Sequence, residues 1–101
     1  MLTTSLMLAA LVTLTACSSL TNEEKSYKAA VEFQEQGKLQ EAIDEYGKVL
    51  ELDPVFVDAY TNRGAVYTDL GKYQKAIQDY DQAIQLNPAN EKAYSNRGNL
   101  H

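Results

Sequence analysis

The sequence predicts an all-α protein, a stack of antiparallel helical hairpins over residues 23–101. Three features carry that expectation. Residues recur at a spacing of 34: Pro54 with Pro88, Gly37 with Gly71, Ala42 with Ala76, Ile43 with Ile77, Tyr46 with Tyr80 and Leu52 with Leu86. The run Ala59-Tyr60-Thr61-Asn62-Arg63-Gly64 returns as Ala93-Tyr94-Ser95-Asn96-Arg97-Gly98. Gly and Pro punctuate the chain, and the connections are only a few residues long, so consecutive helices must be antiparallel neighbours. Residues 23–56 and 57–90 are full copies, and 91–101 begin a third.

Each element has local signals. Thr21 with Glu24 reads as a capping box that opens the first helix. That helix runs to about Gln36 and stops at Gly37, which can adopt the left-handed conformation at a helix end. The second runs from about Leu39 to Leu52, and Asp53-Pro54 ends it. The next pair repeats the scheme: about Val57 to Leu70, then Gly71, then about Tyr73 to Leu86, then Asn87-Pro88. Glu91 opens a further first helix.

This periodicity, with its Ala, Gly, Tyr and Pro positions, is similar to the tetratricopeptide repeat. The resemblance implies an α-solenoid of two full repeats plus the first helix of a third. It places small residues where the helices of a hairpin touch. Gly64 should face Ala76 and Ala83, with Ala30, Ala42 and Val49 in those places in the first repeat. Tyr67, Tyr80, Phe33 and Tyr46 should fill the periphery. Two positions depart from the family pattern. Arg63 and Arg97 stand where Leu is usual, and Ser26 stands where an aromatic is usual. The stem of Arg63 is expected to pack with its charge at the surface.

The resemblance also implies a protein or peptide partner on a concave face lined by the first helix of each pair. The exposed positions of that face would be Glu24, Tyr27, Val31 and Gln34, then Asp58, Thr61, Asn62, Ala65 and Asp69, then Lys92, Ser95 and Asn99. Chaperone-binding members hold a C-terminal carboxylate at five positions, mostly Lys, Arg and Asn. Here Asn62 and Lys92 fit two of them, but Tyr27, Val31 and Asn96 bring no charge to the others. The clamp is incomplete, and a chaperone tail is not the expected ligand.

The N-terminal segment is a different physical object. All fourteen acidic and nine basic residues lie from Glu23 onward, so the first twenty-two residues are uncharged. The apolar run from Leu6 to Leu14 is too short for a spanning helix, which needs roughly 20 apolar residues. Its length fits the apolar part of a secretory signal. Leu14-Thr15-Ala16-Cys17 resembles the bacterial lipobox. That resemblance implies a signal peptide over 1–16, lipidation of Cys17 and a short linker over 17–22. The five residues from Ser18 to Asn22 reach under roughly 20 Å, so the first hairpin would sit close to the bilayer. Ser18 after the cysteine favours the outer membrane in a diderm organism, and the expected location is the cell envelope. Met1-Leu2-Thr3-Thr4-Ser5 lacks the Lys or Arg that usually opens a signal, so either the signal is atypical or the true start lies upstream; the alternative function is a non-lipidated adaptor.

The net charge of −5 comes with no basic patch, so nucleic acid is not an expected partner. Nothing points to catalysis, a cofactor or a metal. The sole His is His101 and the sole Cys is Cys17. No Gly-rich phosphate loop or metal-ligand spacing occurs. Glu23-Glu24 and Asp44-Glu45 read as solvated helix faces, with Asp44 set for an i,i+4 pair with Lys48. About three repeats are needed for stability, and the third begins here without its second helix. The sequence therefore also reads as a piece of a longer protein, in which these repeats would be an accessory segment, or as a module completed by a partner or by self-association.

Overall fold

The computed structural model describes residues 19–100. The segment expected as a signal peptide over 1–16, the expected lipidation site Cys17, Ser18 and His101 lie outside the described residues. Among the described residues there are five helices and no strand: α1 Asn22–Glu35, α2 Leu39–Leu52, α3 Val57–Asp69, α4 Tyr73–Leu86 and α5 Glu91–Gly98. The all-α reading and the hairpin stack are what the structure shows.

The punctuation acts as its chemistry requires. The hydroxyl of Thr21 accepts from the Glu24 amide, and the Glu24 carboxylate accepts from the Thr21 amide at 2.9 Å. Both ends of the capping box are therefore closed. Gly37 and Gly71 sit at φ 76° and 75°, in the left-handed region where a Cβ is strained. The amides of Lys38 and Lys72 reach back to the carbonyls of Phe33 and Tyr67, both at 2.8 Å, and so close the α1 and α3 C-termini. Beyond α2 and α4, the Asp53 and Asn87 side chains accept from the amides of Val55 and Ala89, at 3.2 and 3.1 Å. Asp and Asn serve alike because only the side-chain oxygen is used.

The helices pack in sequence: α1 on α2, α2 on α3, α3 on α4, α4 on α5, with α5 also touching α3. One buried cluster joins Ala30, Ala42, Ile43, Tyr46 and Val49 to Ala59 and Val66 of the next repeat. A second joins Ala76, Tyr80 and Ala83 to Ala93. Each cluster thus spans a repeat boundary, so the core is continuous along the stack rather than closed within one hairpin.

Two expectations are corrected here, for the tyrosines and for Lys48, and the one for Gly64 is sharpened. Tyr46 and Tyr80 are core residues, 0% and 1% exposed, and not peripheral fillers. Gly64 faces the Tyr80 ring: a methyl at Gly64 would lie 2.7 Å from a ring carbon. The small residue makes room for an aromatic, while Ala76 and Ala83 are buried beside it in the same cluster. Lys48 pairs with Glu45 at 2.9 Å, one residue closer than Asp44, whose carboxylate accepts from Gln40 instead.

Candidate functional site

The first helices of the three copies, α1, α3 and α5, jointly line a groove of about 430 Å³. Its walls are Val31, Gln34 and Glu35 from α1, Asn62 and Asp69 from α3, and Lys92 from α5. Hydrogen bonds across repeat boundaries hold this surface together. Lys92 Nζ donates to Asn62 Oδ1 at 3.3 Å, and Asn62 Nδ2 donates to the Tyr27 hydroxyl at 2.8 Å. One amide side chain therefore ties all three copies. Beside it, the Tyr46 hydroxyl donates to Gln34 Oε1 at 2.6 Å. This bond fixes a groove residue to the hydroxyl of a core tyrosine.

Aromatic packing supports the same wall. The Tyr27 ring lies 4.9 Å from Phe56 and 6.0 Å from Tyr46. Burial pushes the Tyr27 phenol above its ordinary value, nearby Asp58 adds to this, and the Asn62 bond partly offsets it. Burial likewise raises Tyr46. Both phenols are held neutral, as donors and acceptors rather than charges.

A second, smaller cavity of about 190 Å³ lies further along the stack. Ala65, Thr68 and Asp69 of α3, Tyr80 of α4, and Asn96, Asn99 and Leu100 line it. Asp69 is common to both cavities.

The structure sorts the residues expected on this face. Val31, Gln34, Asn62, Asp69 and Lys92 share the larger groove, and Ala65, Asp69 and Asn99 share the smaller cavity. Tyr27 stands under the groove through its bond to Asn62. Glu24 is exposed but serves the capping box. Asp58 and Ser95 are exposed and line neither cavity. Thr61 is corrected: it is 3% exposed, donates to the Val57 carbonyl and accepts from Asn90 Nδ2 at 3.0 Å. It joins repeats and is not presented to a ligand. Sequence reasoning missed Glu35 and Thr68. Each stands one turn beyond a residue placed on the face, Val31 and Ala65, and that spacing was the available signal.

Arg63 departs further from expectation. Its guanidinium forms a two-bond fork to Asp79, with Nε to Oδ2 at 2.9 Å and Nη2 to Oδ1 at 2.8 Å. The Asp79 side chain is only 7% exposed. The arginine is thus a buried-pair partner and not a surface charge. Its bonds to Asp79 push it above its ordinary value, against the opposing effect of burial.

Among the described residues, no three His, Cys, Asp or Glu side chains gather where a metal ion could be held. No helix of the described residues is long and apolar enough to cross a membrane.

Family models for the tetratricopeptide repeat match residues 57–90, and for the TPR repeat residues 30–71. Among solved structures, MamA is similar at 31% identity and a TM-score of 0.78, over 79% of this chain and 47% of that one. The first TPR of Spaghetti (RPAP3), solved with the HSP90 peptide SRMEEVD, is 36% identical with a TM-score of 0.75, over 77% of this chain and 62% of that one. The Arabidopsis OM64 TPR domain is 29% identical with a TM-score of 0.77, over 79% of this chain and 66% of that one. The chain therefore spans about half of MamA and somewhat under two thirds of the other two. A search of curated proteins finds no match.

Proposed function

This chain is built of tetratricopeptide repeats, and on that premise we propose that it is a non-catalytic scaffold holding a protein partner's peptide or helix on its first-helix face. The groove shared by α1, α3 and α5 carries the reading. Its lining is mixed: Val31 supplies an apolar spot, Gln34 and Asn62 supply amides, and Glu35, Asp69 and Lys92 supply charges of both signs. Such a surface recognises an extended peptide by a few placed polar bonds around an apolar anchor. The peptide seated on the similar Spaghetti repeat supports that class of ligand. The incomplete carboxylate clamp argues against the same tail here.

The test is photo-crosslinking in cells. A photoreactive residue at Val31 is expected to give an adduct with a discrete partner protein. The same probe at Gln85, exposed on α4, should give none. Equal labelling from both positions would sink the groove as the binding surface.

The second part of the proposal is the anchor. Acyl chains on Cys17 would hold the scaffold at the cell envelope, in the outer membrane of a diderm organism, with the first hairpin near the bilayer. Each buried methylene contributes about 0.8 kcal/mol, so two or three chains give stable attachment. Replacing Cys17 by Ser should abolish both incorporation of labelled palmitate and recovery in the membrane fraction. Unlipidated protein that stays with the membrane would refute the anchor. A second reading is a non-lipidated adaptor with the same groove.

A further inference from the structure

The groove between α1, α3 and α5 is charged unevenly along its length. Helix α2 packs between α1 and α3 and runs against both, so α1 and α3 run parallel. The Asn62–Tyr27 bond sets their register, at the end of the groove where Lys92 is held. Beyond that line, at roughly 1.5 Å of rise per residue, Val31 lies about 6 Å and Glu35 about 12 Å along α1, and Asp69 about 10 Å along α3. Glu35 and Asp69 therefore stand level in the same cavity, with Val31 and Gln34 between them and Lys92.

These two carboxylates are also the last residues of α1 and α3, and neither last turn holds a basic residue. An acid there faces the negative end of the helix dipole, so each works against its own helix. Local rules broken without a folding gain mark a surface kept for something else. Both side chains are exposed, and among the described residues neither forms an ion pair or a hydrogen bond. Lys38 and Lys72 follow in the adjoining turns but pair with neither. At the other end the charges are nearer to balance, because Asp58 acts on Tyr27 beside the Lys92–Asn62 bond. The uncompensated charge of the groove is negative and confined to one end.

We propose that the groove takes its partner segment by a Lys or Arg side chain seated between Glu35 and Asp69, two residues from an apolar side chain that packs on Val31. This rests on the peptide reading of the groove and names the sequence feature it selects. The spacing follows from the register. Val31 and Glu35 are about 6 Å apart along α1, and in an extended chain residues i and i+2 are about 6.6 Å apart and point to the same side. Charge complementarity sets the basic residue, and Lys92 repels a second one at the far end, which fixes which way round the segment lies.

The probe is a phage-displayed library of random seven-residue peptides selected on the full chain. Enriched peptides are synthesised, placed by photo-crosslinking from Val31 and measured by fluorescence anisotropy. Those labelled from Val31 are expected to carry Lys or Arg two residues from an apolar residue. Replacing that basic residue by Glu should weaken binding at least tenfold. The double variant Glu35→Lys, Asp69→Lys should weaken the basic peptides at least tenfold and bind their Glu-substituted forms more tightly than the wild type does. Its Tm should equal or exceed the wild-type value, because lysine suits a helix C-terminus, so the loss cannot be misfolding. The milder pair Glu35→Gln, Asp69→Asn should weaken the basic peptides several-fold without the reversal. Peptides labelled from Val31 that are indifferent to their basic residue, or to both double variants, would overturn this inference and leave the peptide reading standing. No peptide labelled from Val31 would overturn both. A lysine variant less stable than the wild type would show that the two acids serve the fold, and equally overturn the inference.

Discussion

Two glycines inside helices show how far a residue's meaning depends on its neighbour. Gly47 in α2 has nothing within 4 Å of the place a methyl would take, whereas at Gly64 that methyl would press on the buried Tyr80 ring. The ring cannot yield without disturbing Thr68, whose hydroxyl lies 3.3 Å from the Tyr80 oxygen. Gly64→Ala is therefore expected to destabilise by about 1–3 kcal/mol, because overpacking a filled core outweighs better helix propensity. Gly47→Ala should stabilise by up to about 1 kcal/mol, because only propensity acts. Urea midpoints of the two variants measure both signs, and equal shifts would refute the account. The sequence marks Gly64 as a close-contact site but not what it contacts. Arg63 is similar. Its departure from the family pattern is visible in the chain, but the buried Asp79 opposite it is not, because the two lie on different helices.

At the scale of elements, boundaries were legible because they are local. The capping box, the left-handed glycines and the Asx-type bonds of Asp53 and Asn87 each involve residues within a few positions. The start of α5 adds something local rules do not contain. Asn90 caps the helix by accepting from the Ala93 amide at 3.1 Å, and its amide nitrogen donates to Thr61 on α3. Its counterpart one repeat earlier, Phe56, makes no side-chain cap and stacks on Tyr27 instead. Asn90→Ala is expected to cost about 1–2 kcal/mol, from the lost cap and the lost bond to a buried hydroxyl. Hydrogen exchange should show the amides of α5 losing protection ahead of α1 and α2. Uniform loss across all five helices would show that Asn90 does not act locally.

At the scale of the molecule, three tyrosines tie the stack together, and they set its behaviour in alkali. Burial raises Tyr27, Tyr46 and Tyr80 above the ordinary phenol value, with the Asn62 bond at the first and the Thr68 hydroxyl contact at the last acting the other way. The folded chain therefore holds these protons when the unfolded chain has begun to release them. Their stabilising effect is complete below about pH 9 and is lost as pH rises from about 10. Denaturant unfolding against pH should be flat on their account to about pH 9 and fall steeply above about pH 10. Tyr46→Phe should reduce that alkaline slope. An unchanged slope would mean that the buried phenol is not the titrating group.

The sequence by itself determined the period, the helix boundaries and the all-α stack. Those rest on spacing and on turn chemistry, which are local and repeat along the chain. It also indicated which helices line the groove. Only the tertiary structure decided which members of that face share a groove. It buried Thr61, joined Asn62 to both Tyr27 and Lys92, and put Tyr46 and Tyr80 at the centre. Periodicity assigns a residue to a side of its own helix. The partner across the gap depends on how helices 30 or more positions apart come together, and no local pattern records that distance.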